Sequence, residues 1–165
     1  MNVLKKSSLK VFDVEWISGK EALEKLVENK TRRYKIDERV CFCVHTNQIN
    51  LMIETMPGFE FDGRSGPKIV DWYAPNLGTL LERVCWFVHD VNGYGKCLSF
   101  EDTNVLLYAM LRDLCHYRKS KAALIQLAVS LSRSWYGTPK VDDWCYKNLD
   151  KITYCKDVPY DDIPF

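Results

Sequence analysis

No stretch of this sequence approaches the roughly eighteen consecutive apolar residues that a membrane-spanning helix requires. Neither sign of charge dominates: 23 basic residues stand against 22 acidic ones, a net charge of +1. That balance argues against an electrostatic nucleic-acid binder, whose phosphate contacts need a basic surplus. The densest positive cluster, Arg118 to Lys121, lies between two helical patterns and reads as a solvated connection. There is no internal repeat and no low-complexity linker. The first eight residues, Met1 to Ser8, lack the apolar core and small-residue cleavage site of a secretory signal. No Cys-x-x-Cys occurs, and the seven cysteines are odd in number. Cys41 and Cys43 share one face of a strand pattern without a histidine at zinc spacing. These features fit a reduced, cytoplasmic protein better than a disulfide framework or a zinc site.

What the chain does have is core-forming material. Apolar residues make up 47% and aromatics 13% of 165 residues, which excludes disorder and suits one domain. We expect that domain to span 1–165, with N-terminal strands and a helix over 1–54, a central unit over 55–144 and a C-terminal tail over 145–165. The first eighteen residues alternate loosely, as an edge strand would. A short amphipathic helix follows over 20–29, where Ala22, Leu23, Leu26 and Val27 recur at helical spacing. Val40, Phe42 and Val44, then Ile49, Leu51 and Ile53, alternate on either side of Thr46-Asn47-Gln48 and predict a hairpin. His45 beside that turn reads as a surface residue.

From Pro57 to Gly78 the density of Gly and Pro predicts a long ordered loop, in which Trp72 and Tyr73 are expected to pack into the core. Thr79 caps a helix to about Val91, stopped at Asn92-Gly93. Ser99-Phe-Glu-Asp102 resembles a capping box that opens a buried helix to about Arg118, and a further apolar helix covers about 121–135. The tail, rich in Tyr and Trp, reads as irregular chain. The fold class is therefore α+β: a small antiparallel hairpin or sheet followed by three packed helices.

Two stretches carry the candidate chemistry: Asp62-Gly63-Arg64-Ser65-Gly66-Pro67, and His89-Asp90 at the end of the apolar run 84–88. A histidine on the apolar face of a helix needs partners for its ring nitrogens. Asp102, at the start of the next helix, is placed to accept one ring proton, leaving the other nitrogen free to deprotonate water. Asp90 lies about 100 degrees around the helix from His89 and so turns toward the Asp62 loop. Asp62, Asp90 and the Gly63 backbone offer oxygen ligands suited to calcium. Each residue also has a plain structural role. Asp102 satisfies the helix dipole, Asp62 is a turn residue before Gly63, and Asp90 caps loop backbone. A Ser65-His89-Asp102 triad is the rival reading, but Gly63-Arg-Ser65-Gly66 is not a nucleophile elbow and no strand feeds it.

The run Gly58-Phe-Glu-Phe-Asp62-Gly63-Arg-Ser65-Gly-Pro67, followed by His89-Asp90 and Glu101-Asp102, resembles a phage-associated domain family of unknown function. The family pattern reads Gly-Phe-x-x-Asp-Gly-x-Ser-x-Pro, then His-Asp-x-x-Tyr, then an Asp opening a helix. The resemblance covers about residues 55 to 144, ending near Ser134-Trp-Tyr-Gly137. Tyr94 stands five residues after His89, where the family spacing is four.

More distantly, Cys85-Trp-Phe-Val-His89-Asp90 and Asp102 resemble the paired helices of phospholipase A2. That likeness implies a phospholipase-like helix pair, with His89 as the base that activates water and Asp102 as its orienting partner. Calcium would be held by Asp62, Gly63 and Asp90. Together the resemblances imply a phage accessory protein that acts by binding a host or virion protein, as a virion component or an antagonist of a host system, located in the host cytoplasm or the particle. The alternative they imply is a calcium-dependent hydrolase of a lipid or other acyl ester.

Overall fold

The computed structural model describes residues 4–29, 33–62, 72–95, 98–136 and 151–157, with backbone alone at 93–95, 131–136 and 153–157. Six strands and four helices follow in the order β1 (Val11–Ser18), α1 (Lys20–Glu24), β2 (Tyr34–Ile36), β3 (Val40–Thr46), β4 (Asn50–Thr55), β5 (Phe59–Phe61), α2 (Leu80–Gly95), α3 (Phe100–Asp113), α4 (Lys119–Tyr136) and β6 (Ile152–Asp157). The class is α+β, as expected. The sheet is larger than a hairpin. Four antiparallel strands run β1-β3-β4-β6, and β2 pairs with β5 in a second ribbon.

The expected hairpin forms in the register Val44↔Leu51 and Phe42↔Ile53. β3 is buried along its whole length because it is an inner strand covered on both faces. Val40, Phe42 and Val44 face the main core, while Cys41 and Cys43 join Met52 and Ile17 in a small apolar cluster on the other face. β1 lies at one edge, as its loose alternation predicted. Gly19 then turns the chain at φ 86, and a Cβ there would sit 2.5 Å from the Arg39 carbonyl oxygen.

Three strands correct the sequence reading: β2, which the sequence reading did not anticipate, and two more in segments expected to be irregular. Within the expected loop, Phe59-Glu-Phe61 forms β5, whose Phe59 and Phe61 are buried opposite Ile36 and Tyr34. Within the tail expected to be irregular, β6 pairs with β4 and takes the far edge of the sheet. Trp72 and Tyr73 also depart from expectation. Trp72 is 89% exposed and Tyr73 is 44% exposed.

Aromatic packing ties the layers together. Phe87 of α2 meets Phe42 of β3 at 5.9 Å, Phe59 at 5.3 Å and Phe61 at 5.4 Å between ring centroids. One helix side chain thus bridges both sheets, at separations typical of favourable ring pairs. α2 begins with a reciprocal capping box, Thr79 N–H donating to Glu82 Oε1 at 3.2 Å and Glu82 N–H to Thr79 Oγ1 at 3.4 Å. It continues through Asn92-Gly93 because Val91 and Asn92 are buried, and that packing outweighs the local stop signal.

α3 is the central helix, buried from Leu106 to Leu111. Its Ser99 cap accepts the Asp102 N–H at 3.1 Å, as its sequence predicts. The N-terminal segment is fastened along α3. Leu4 N–H donates to Asp102 Oδ1 and Val11 N–H to Asp113 Oδ2, both at 2.8 Å, while Arg112 donates to the Leu9 carbonyl. α4 buries Ala122, Ile125 and Val129 and leaves Leu124 and Leu127 partly in solvent. Among the described residues, no helix is long and apolar enough to cross a membrane.

Candidate functional site

β5 and α2 build the site together. Phe61 packs against Phe87, and the next residue on one side is Asp62, while Asp90 follows one turn after Phe87 on the other. The contact brings both carboxyl groups to the same place. Asp62 N–H donates to Asp90 Oδ2 at 3.1 Å. Asn76 holds the turn from behind, its Nδ2 donating to the Asp62 carbonyl at 3.3 Å while the Tyr34 hydroxyl donates to its Oδ1.

Asp90 is buried and Asp62 is half-buried, and their carboxyl groups lie close enough to perturb each other. Two carboxylates that close cannot both ionise cheaply. Burial, reinforced by the Asp90 charge, holds the Asp62 carboxyl well above the usual carboxylate range. Burial also pushes Asp90 up to about 6, against the stabilising bonds it receives from Asp62. The raised values favour a protonated Asp62 beside Asp90, which accepts the Asp62 backbone N–H. Asp62 Oδ1 has no hydrogen-bond partner.

His89 joins this pair from α2. Its Nδ1 lies 3.9 Å from Asp90 Oδ1, too far for a hydrogen bond. Its Nε2 lies 3.0 Å from Asn104 Oδ1. The roles at that contact follow from the next one: Asn104 Nδ2 donates to Ser130 Oγ at 3.2 Å, and Ser130 donates onward to the Gln126 carbonyl at 2.8 Å. Asn104 therefore turns its acceptor to the ring, and Nε2 is the protonated nitrogen. Burial lowers the imidazole pKa, opposed chiefly by the Asn104 bond, so His89 is favoured as the neutral ring.

The sequence-predicted residues thus divide. Asp62, His89 and Asp90 come together. Asp102 does not take the ring proton, so the expected His89–Asp102 pair is corrected to His89–Asn104. Asp102 Oδ1 instead accepts the Leu4 N–H, and its Oδ2 is buried without a partner. The reason is helical geometry: Asp102 and Asn104 are two positions apart, roughly 200 degrees around α3, so only one of them can face α2. A polar Asn among Val105, Leu106 and Leu107 was the available signal, since a buried amide needs partners.

Gly63, Ser65 and Pro67 lie outside the described residues, so neither the Gly63 ligand nor the Ser65 triad has a geometry here. Tyr94 falls on α2 at a position described by its backbone alone. His45, read as a surface residue, is 8% exposed, its Nε2 lying 2.7 Å from Glu15 Oε2 and its Nδ1 3.1 Å from Asn50 Oδ1. Its neighbours on β1 and β4 explain the burial.

Among the described residues, no group of three His, Cys, Asp or Glu side chains could hold a metal ion. Asp62 and Asp90 supply carboxylate oxygens of the kind calcium takes. No family model, curated protein or solved structure matches this chain.

Proposed function

We propose that this chain is a phage-associated accessory protein that acts by binding a host or virion protein, with the Asp62–Asp90–His89–Asn104 cluster as an internal staple. The observation that carries the reading is the partner of His89. A general base of this kind works best with a carboxylate behind the ring, which stabilises the imidazolium formed in the reaction. Here an amide oxygen occupies that place, and burial disfavours the charged ring. The same bonds suit a structural role, linking α2 to α3 and, through Asn104 and Ser130, α3 to α4. Trp72, 89% exposed, is a residue type that anchors protein interfaces and supplies a candidate contact.

The experiment pairs activity with stability. Acyl-ester turnover is measured with and without calcium for the parent and for His89→Gln, alongside thermal melts of both. A staple predicts no turnover by the parent in either condition and a clearly lower melting temperature for the variant. Calcium-dependent turnover by the parent, lost in His89→Gln at an unchanged melting temperature, would overturn the binding reading in favour of the hydrolase.

A further inference from the structure

A second pair of reactive groups lies at the opposite end of the α2–α3 contact from His89 and Asn104. Cys85 of α2 and Cys115, just beyond α3, place their sulfurs 3.6 Å apart. A disulfide needs about 2.05 Å, so the sulfurs must close by about 1.5 Å. α3 ends at Asp113, and the turn beyond it carries His116 at φ 56, outside the helical region. Cys85 is fully buried, whereas Cys115 is partly exposed.

We propose that Cys85 and Cys115 form a redox-sensitive dithiol, which a hydroperoxide closes into a disulfide that locks the end of α3 to α2. The two thiols have unequal roles. Burial, with the neighbouring Cys115 and Glu82 adding to it, pushes the Cys85 thiol well up and keeps it protonated. Cys115, reachable from solvent, is the side that meets the oxidant. Its thiolate attacks one peroxide oxygen, the O–O bond breaks, and the departing oxygen takes a proton to leave as water or an alcohol. The product is Cys115 sulfenic acid. Cys85 sulfur then attacks the sulfenic sulfur. The S–S bond forms, the S–O bond breaks, and hydroxide leaves as water with the Cys85 proton. In sum, two thiols are oxidised and one hydroperoxide is reduced. A small-molecule dithiol reverses the bond by exchange. The link joins positions 30 residues apart across the helix pair that holds His89 on Asn104.

The test uses the full chain, treated with a modest excess of hydrogen peroxide, alkylated, digested without reduction and read by mass spectrometry. The expected result is a linked peptide pair containing Cys85 and Cys115, lighter by two hydrogens than the separate peptides. A higher melting temperature should accompany it, and dithiothreitol should reverse both. In Cys115→Ser the linked pair should vanish and Cys85 should be recovered unoxidised. Recovery of Cys85 and Cys115 in the parent as separate alkylated peptides, linkage of either to another cysteine, or conversion of Cys115 to the sulfinate with Cys85 still free would each overturn the proposal. Mapping of the parent decides the matter if Cys115→Ser does not fold.

Discussion

At the scale of single residues, buried Asp90 and half-buried Asp62 and His89 contribute to the pH dependence of stability in opposite senses. Asp62 and Asp90 titrate higher in the fold than in an unfolded chain. Their contribution is therefore most favourable below the ordinary carboxylate range and is lost as pH rises through about 6, the folded value for Asp90. His89 runs the other way. Its lowered pKa favours the fold at high pH, and that contribution is lost as pH falls below the ordinary histidine value of 6.5. Asp62→Asn removes one of the two ionisable groups of the pair and leaves the Asp62 backbone N–H donating to Asp90. We expect it to raise stability at pH 8, where the unfolded chain ionises Asp62 and the fold disfavours that charge. The gain should shrink toward zero near pH 4, where the parent's Asp62 is already protonated. Denaturant unfolding across that range checks both the sign and the trend. Trp72 makes a different prediction: Trp72→Ala, at an 89% exposed position, should leave the melting temperature unchanged and weaken capture of a binding partner. A fall in stability instead would mean that the indole is packed.

At the scale of elements, Phe87 is the joint between α2 and both sheets. Phe87→Ala leaves a cavity beside Phe42, Phe59 and Phe61, and should cost about 3–5 kcal/mol in unfolding free energy. A loss below about 1 kcal/mol would contradict the bridging role, given what large-to-small changes in a packed core usually cost. This scale also marks what the sequence could convey. The hairpin, the Ser99 cap and the three long helices were legible because periodicity and capping are local properties. Helix α1 was expected to run to Asn29 but ends at Glu24. The Arg83 guanidinium takes the carbonyls of Leu23, Glu24 and Leu26, a distant partner that no local window contains. β2, β5 and β6 were missed for a related reason: short runs of weak alternation become strands only because β2 and β5 pair with each other and β6 with β4. In the site, the turn of Asp90 toward Asp62 followed from helical rotation. The choice of Asn104 over Asp102 depended on how α3 is rotated against α2, which local pattern does not encode.

At the scale of the whole molecule, the C-terminal strand closes a sheet begun by the N-terminal one. β1 and β6 are the two edges, with β3 and β4 between them. Ending the chain before Lys151 would remove β6 and leave β4 as an open edge, a surface prone to pairing with other chains. We expect the truncated chain to self-associate in light scattering at concentrations where the parent stays dispersed. Equal dispersity and an equal melting temperature would show that β6 contributes little. Across the helical layer, within a shared apolar core, a polar chain runs from His89 on α2 through Asn104 on α3 to Ser130 on α4. A double-mutant cycle on unfolding free energy tests that claim most directly, with His89→Ala combined in turn with Asn104→Ala and with Asp102→Ala. The account predicts a coupling of about 0.5–3 kcal/mol between His89 and Asn104, and additivity between His89 and Asp102. Additivity with Asn104 and coupling with Asp102 would contradict it.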